Sequence, residues 1–324
     1  MKVLSIISSP LQLLNFKEYI KSKNIKNYDL IILSFIKKEE EQITYSANVL
    51  KLKIQKKINR LRFLQYCQLK SFSKTNDKYD QLIMGNFFSD PHLFLYHTSR
   101  IKNLVVLDDG INTSLIDKYY KTEKKILKSN FIKIFLFNFL KIKTSYPSKF
   151  TMFTLFDINF KSNNIKLIKN NFSYVKSLIK SFNDDDNIYL VGQPFVELNM
   201  LTNKDYKFIL TKIKSKYNKI VYIPSRKESD LNLEKIHKKF GFEILKTMSN
   251  IELYFIENGL IPKKIIGFNS SALITLNNIF NSQEKVINII SYKIDFGSNR
   301  LSSNNINKYY KKLRDSKIKI LKLL

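Results

Sequence analysis

The sequence predicts an α/β protein built from two doubly wound domains, and two observations carry that expectation. Short apolar runs of the kind that buried parallel strands present recur with helical segments between them, at residues 3–7, 30–33, 82–84 and 104–107. A second series follows at residues 188–191, 220–223, 242–245, 265–266 and 286–290, so strand and helix alternate twice. The length of 324 residues is the other observation. It exceeds what one hydrophobic core organises, and two domains of about 150 residues each are expected.

Each part of the chain takes its place in that plan. The opening "MKVLSIISSPLQLL" has one lysine and an apolar run that breaks at Pro10; it reads as a first strand rather than a signal peptide. The stretch from about residue 117 to 186 is rich in Lys, Phe and Asn, has Pro147 near its middle and closes on "NDDDN" at 183–187, so the domain boundary is placed inside it. The expected division is an N-terminal α/β domain over 1–150, a linker region over 151–186 and a C-terminal α/β domain over 187–324. Such domains facing each other across a cleft would meet ligand with the loops at the carboxyl ends of their strands.

Composition bounds the function. A formal charge of +29 suits a polyanionic partner. Only six of the 56 basic residues are arginine, however, and nucleic-acid readers favour the arginine fork, so an acidic substrate or an anionic membrane surface fits better than base recognition. Cys67 is the single cysteine, which excludes an intrachain disulfide framework and points to a reduced compartment, with a cytoplasmic location expected. No window reaches the ~18 uninterrupted apolar residues of a membrane span. The nearest, residues 131–143, is interrupted by lysines and suits either core packing or a peripheral position on the inner membrane. There is no Gly-rich dinucleotide fingerprint and no phosphate loop. His92, His97 and His237 lack metal-ligand spacing and read as structural, so no metal is expected.

Five short motifs could carry chemistry. In "VVLDDGINTS", Asp108 and Asp109 end a strand, and Gly110 permits the turn that would expose them. Neighbouring carboxylates repel, which suits one of them to accept a proton from a hydroxyl nucleophile; an isolated Asp-Asp-Gly equally describes a polar turn capping the next helix. In "IIGFNSSALITL", Ser270 and Ser271 open an apolar helix whose outward N–H groups and positive dipole end would cradle a phosphate, or simply cap the helix. In "VYIPSRKESD", Ser225, Arg226 and Lys227 follow a strand and Pro224, where cations could neutralise a leaving phosphate or form a solvated loop. "YLVGQPF" places Gly192, Gln193 and Pro194 after another strand, and "SSPLQLL" places Ser9, Pro10 and Gln12 after the first, with proline suited to the first turn of a helix.

Taken in order, "SSPLQLL", "LDDG", "GQP", "IPSRKE" and "GFNSSALITL" resemble the bacterial lipooligosaccharide sialyltransferases of glycosyltransferase family 52, which share an acidic-Gly motif with the bacterial polysialyltransferases. The resemblance implies a GT-B fold and metal-independent, inverting transfer of sialic acid from CMP-sialic acid to a galactose-type hydroxyl of a surface glycan, lipooligosaccharide or capsule. It implies a catalytic base at Asp109, with Asp108 beside it. The donor phosphate would be held by Ser270, Ser271, Arg226 and Lys227, with Gly192, Gln193 and Pro194 on the nucleotide side. Ser9, Pro10, Gln12 and Asn86 would lie on the acceptor side. The domain over 1–150 would then take the acceptor and that over 187–324 the nucleotide sugar, with no cofactor beyond the donor. One departure matters: the family's histidine beside a proline is absent, and Ser225 follows Pro224 in its place. A different donor sugar, as for a hexosyltransferase, or a catalytically impaired basic glycan-binding protein are the alternatives.

Overall fold

The computed structural model describes residues 1–58, 62–73, 79–99, 101–110, 113–122, 145–158, 160, 163–179, 181–281, 286–296 and 310–323. The expected apolar segment at 131–143 lies outside them. Among the described residues, no helix is long and apolar enough to cross a membrane. Two compact units result: Met1–Tyr174 with Met248–Asn250, and Val175–Thr247 with Ile251–Leu324.

The first unit is a parallel sheet in the order β3-β2-β1-β4-β5-β6-β7. Its strands are β1 (Lys2–Ile7), β2 (Asn27–Leu33), β3 (Lys56–Ile58), β4 (Gln81–Met84), β5 (Asn103–Leu107), β6 (Phe150–Thr154) and β7 (Ile165–Lys169). Helices α1 (Pro10–Ser22), α2 (Lys37–Val49), α3 (Arg62–Ser73), α4 (Asp90–Ser99) and α5 (Thr113–Thr122) intervene. Central strands buried on both faces must be apolar throughout, and Leu4, Ile6, Ile31, Leu82, Met84 and Val106 are fully buried in one cluster. Removing each such side chain from water contributes about 1.5–3 kcal/mol.

The second unit repeats the principle with the order β10-β9-β8-β11-β12-β13, again parallel. After α6 (Ser173–Ile179), which crosses the boundary between the units, come β8 (Asn183–Val191), α7 (Asn203–Lys214), β9 (Ile220–Ile223), α8 (Asp230–Phe240) and β10 (Glu243–Ile244). Then follow α9 (Ile251–Glu257), β11 (Leu260–Gly267), α10 (Ser271–Phe280), β12 (Asn288–Lys293) and β13 (Lys319–Lys322). Gly267 allows α10 to pack closely: a Cβ there would sit 3.2 Å from Leu273 and 3.3 Å from Val191.

The structure differs from the sequence reading at the sheet edges. Residues 151–186, expected as a linker, carry most of β6, all of β7, α6 and the start of β8; the "NDDDN" run extends a central strand instead of ending a spacer. Three of the four strands that the apolar runs left out, β3 (KKI), β7 (IKLIK) and β13 (KILK), are edge strands with lysine at alternate or terminal positions. Charged side chains on an edge discourage pairing with another chain, and they also dilute the apolar signal that marks a strand.

Helix α8 ends at Gly241, whose φ of +67° is left-handed. A Cβ at that position would meet no atom within 4 Å, so only backbone strain opposes a side chain there. Gly241→Ala is expected to lower stability by about 1–2 kcal/mol, read as a reduced urea midpoint; an unchanged midpoint would contradict the strain argument.

Candidate functional site

In a doubly wound sheet, ligands bind outside the carboxyl ends of the strands where the order reverses. In the first unit that point lies between β1 and β4, and the loops after β1, β4 and β5 converge on it. Their sequences place Ser8 to Gln12, Gly85 with Asn86, and Asp108 with Asp109 along one edge. Ser9 caps α1 by accepting the Gln12 backbone N–H at 3.3 Å, and Pro10, buried, occupies the first helical turn.

Asp109 is the centre of this edge. Gln12 Nε2 donates to its Oδ1 at 2.7 Å, and Asn86 Nδ2 donates to its Oδ2 at 2.8 Å. Both amides are oriented by backbone donors: Gln12 Oε1 accepts the Ser8 N–H at 2.8 Å, and Asn86 Oδ1 accepts the Phe88 N–H at 2.9 Å. The Asp109 N–H donates to Thr113 Oγ1 at 3.2 Å. Gly85 leaves room for this arrangement, since a Cβ there would overlap Gln12 Oε1 and lie 2.8 Å from Gln12 Cδ. The Asp109 carboxylate is thus held from two sides, on a partly exposed residue at the reversal point.

Asp108 does something else. It is fully buried, and its Oδ1 accepts Thr154 Oγ1–H at 2.7 Å while its Oδ2 accepts the Leu155 N–H at 2.6 Å. Its backbone oxygen accepts Asn15 Nδ2–H at 3.1 Å. The expected catalytic neighbour is therefore a clasp between the ends of β5 and β6, because a buried carboxylate must take its hydrogen bonds from the protein. The residues expected on the acceptor side have roles within the protein. Gln12 is 1% exposed, and both it and Asn86 engage their amides in orienting Asp109; Ser9 and Pro10 start the helix.

Sequence reasoning set His92 aside as structural, and its structural role is specific to this edge. The ring is fully buried on α4, and its Nδ1 accepts the Asn86 N–H at 2.9 Å, which assigns the proton to Nε2. Burial lowers its pKa to about 3, so the ring is neutral and remains an acceptor for Asn86.

The second unit has its own reversal point, between β8 and β11. The structure brings Gly192 and Gln193, after β8, to the same carboxyl edge as Ser270 and Ser271, after β11; Val191 pairs in register with Gly267. Ser270 is the N-cap of α10 by backbone conformation, and its side chain makes no capping hydrogen bond. The loop after β9 carries Pro224, Ser225, Arg226 and Lys227 to this edge, with Arg226 and Lys227 exposed. Pro194 is buried and starts the turn that leads to Phe195.

Glu228 organises that loop, a role that the sequence did not assign to it. It is 7% exposed; its Oε2 accepts the Ser225 N–H at 2.5 Å, and its Oε1 accepts the Tyr222 phenol, which is itself 2.7 Å from the Tyr206 phenol. Gly192 must lack a side chain because a Cβ would overlap the Tyr222 oxygen and lie 2.8 Å from Glu228 Oε2. Burial, with a contribution from Glu197, pushes the Glu228 pKa up to about 7 despite the two donors. Among the described residues, no group of three or more His, Cys, Asp or Glu could hold a metal ion.

Two outcomes test this geometry. Gly85→Ala is expected to displace Gln12 from Asp109 and to cost about 1–3 kcal/mol of stability; a variant structure with both amide contacts intact would refute the packing argument. Unfolded, Glu228 ionises near 4.5, whereas in the fold it keeps its proton up to about 7. Its contribution to stability is thus full below pH 4.5 and is lost as pH rises to 7, by about 3 kcal/mol at most. Glu228→Gln removes this titration, so the stability difference between wild type and variant, followed by urea unfolding, should change with pH across that window and level off above it. Parallel curves would place the ionisation elsewhere.

A scan against protein-family models returns no match, and neither does a search of curated proteins. Solved structures do match. UDP-GlcNAc 2-epimerase from Neisseria meningitidis, bound to UDP-GlcNAc, is similar at 10% identity and a TM-score of 0.51, covering 99% of this chain and 95% of its own. The Methanocaldococcus jannaschii UDP-GlcNAc 2-epimerase in complex with UDP-GlcNAc and UDP is similar at 12% identity and a TM-score of 0.51, covering 90% and 83%. A further UDP-N-acetylglucosamine 2-epimerase gives 12% and 0.51, covering 98% and 88%. Likeness at this level shows the fold, the paired parallel α/β units of the GT-B class. It also corrects the resemblance to the family 52 sialyltransferases, since these structural neighbours are UDP-GlcNAc 2-epimerases. The motifs behind that resemblance are loops at carboxyl ends of parallel strands, which any chain of this fold must supply.

Proposed function

We propose that the protein is a sugar-transferring enzyme that uses a uridine-type nucleotide sugar, with Asp109 as the proton acceptor for the incoming hydroxyl. The observation that carries the reading is the Asp109 carboxylate, oriented at the reversal point by the Gln12 and Asn86 amides. In the step, the acceptor oxygen bonds to the anomeric carbon and its proton passes to Asp109. The bond from that carbon to the diphosphate oxygen breaks, and the electron pair leaves with UDP. Taken by itself, the carboxyl edge of the second unit carries groups suited to a nucleotide diphosphate: the N-terminus of α10 at Ser270 and Ser271, and the exposed Arg226 and Lys227. Gly192 and Gln193 border the nucleotide, Ser225 is held in place by Glu228, and the chemistry uses no metal or other cofactor. The choice of uridine is supported by the similar structures, two of which hold UDP-GlcNAc.

Ligand-induced stabilisation tests the nucleotide. UDP and UDP-GlcNAc at about 100 times their Kd should each add about 2.7 kcal/mol, seen as a raised melting temperature. Stabilisation by CMP alone, or by glycans with no nucleotide effect, would overturn the reading. Asp109→Asn should retain UDP binding and lose about 10²- to 10⁴-fold in turnover of the UDP-sugar; unchanged turnover would remove Asp109 from the chemistry.

A further inference from the structure

A second feature of the first unit lies apart from the Asp109 contacts. A cavity of about 420 Å³ opens between the last turn of α1 and the stretch after β7, lined among others by Lys21, Lys23, Asn171, Ser173 and Tyr174. We propose that this cavity binds a small phosphate monoester carrying hydroxyl groups, of the size of a hexose phosphate.

The charge distribution is the first argument. Lys21 Nζ stands 5.4 Å and Lys17 Nζ 5.3 Å from the centroid of the same Tyr174 ring. Lys17 is only 6% exposed, and its pKa is lowered by burial and then by the neighbouring cations Lys21 and Lys51. Lys17, Lys21 and Lys23 have no ion-pair partner among the described residues, whereas Lys169, on the cavity wall, is paired with Asp157 at 2.5 Å. Crowded cations around one aromatic ring repel, and an anion among them relieves that repulsion.

The donors supply the second argument. Ser173 and Asn171 make no side-chain hydrogen bond among the described residues, so a hydroxyl and an amide stand beside the two lysines. The other polar walls are already engaged: Asn170 donates to Asn15 Oδ1 at 3.0 Å and accepts the Phe172 N–H at 3.0 Å, and Ser22 donates to the Tyr19 carbonyl at 2.9 Å. Glu18 is the one carboxylate on the wall; it is 3% exposed and accepts the Tyr174 N–H at 3.1 Å, so it orders the floor of the cavity.

Size and charge type select the ligand. The volume lies within the range of sites for small organic ligands and exceeds what a bare phosphate ion fills. The cations are lysines, which act on phosphate as point charges, and no arginine lines the cavity to grip a carboxylate with a two-pronged fork. The partly exposed Tyr174 ring on the wall offers apolar surface for the carbon skeleton of a sugar.

Calorimetric titration of the full chain with glucose 1-phosphate tests the site, and the result does not depend on the proposed transferase activity. Saturable binding is expected, weakened at least about tenfold in the Lys21→Ala, Lys23→Ala double variant. Both lysines are exposed, so the variant should keep the wild-type unfolding midpoint. Asp109→Asn should bind as wild type does. No saturable binding, equal binding by the double variant, or loss in Asp109→Asn would overturn the assignment. Inorganic phosphate binding as tightly as the ester would overturn the sugar component, and glucuronate binding as tightly would overturn the choice of phosphate.

Discussion

The carboxyl edge of the first unit is organised around a carboxylate with no access to water. An ionisable group buried without partners costs several kcal/mol, and at Asp108, at the end of β5, Thr154 and Leu155 offset that cost by donating to both of its oxygens. Those donors lie at the end of β6, and the bonds therefore fix the mutual position of two strand ends. The backbone oxygen of Asp108 extends the network through Asn15 of α1 to Asn170 beyond β7. One buried polar line thus joins α1, β5, β6 and the segment after β7, and Asp109 is aimed by what its predecessor anchors.

The second unit answers a similar demand with a different balance. Glu228 also receives two donors, yet burial outweighs them and holds its proton to about pH 7. The loop bearing Ser225, Arg226 and Lys227 is therefore pinned by a group that titrates within the physiological range. Gly192 enters for a steric reason: the Tyr222 and Glu228 side chains occupy the space a Cβ would need. The "GQP" and "PSRKE" motifs, separate in sequence, are two sides of one packing requirement.

The ordered motifs suggested one enzyme family, while the structural neighbours belong to another. Both observations follow from the fold. A doubly wound sheet must end its central strands in short loops, and glycine, serine, proline and aspartate are the residues that make such loops and start the helices after them. Motif order then reflects architecture as much as chemistry. Gln12 and Asn86, expected on the acceptor side, hydrogen-bond Asp109, and Asp108, expected beside it, ties the ends of β5 and β6 together.

The sequence by itself determined the central strands, because strands buried on both faces have to be continuously apolar, and the starts of α1 and α10, because Ser9 with Pro10 and Ser270 are local signals. It also located the Asp108–Asp109 pair at a strand end. The edge strands β3, β7 and β13 were hidden by their lysines, and β6 by the Lys- and Phe-rich stretch around it. Which aspartate is buried and which is partly exposed was decided by partners far away in the chain: Thr154 is 46 residues from Asp108, and Gln12 is 97 from Asp109. His92 and Glu228 were invisible as organisers for the same reason, since burial and hydrogen-bond partners arise only when separate elements pack. Local propensity is written into neighbouring residues, whereas desolvation and its compensation belong to the folded chain.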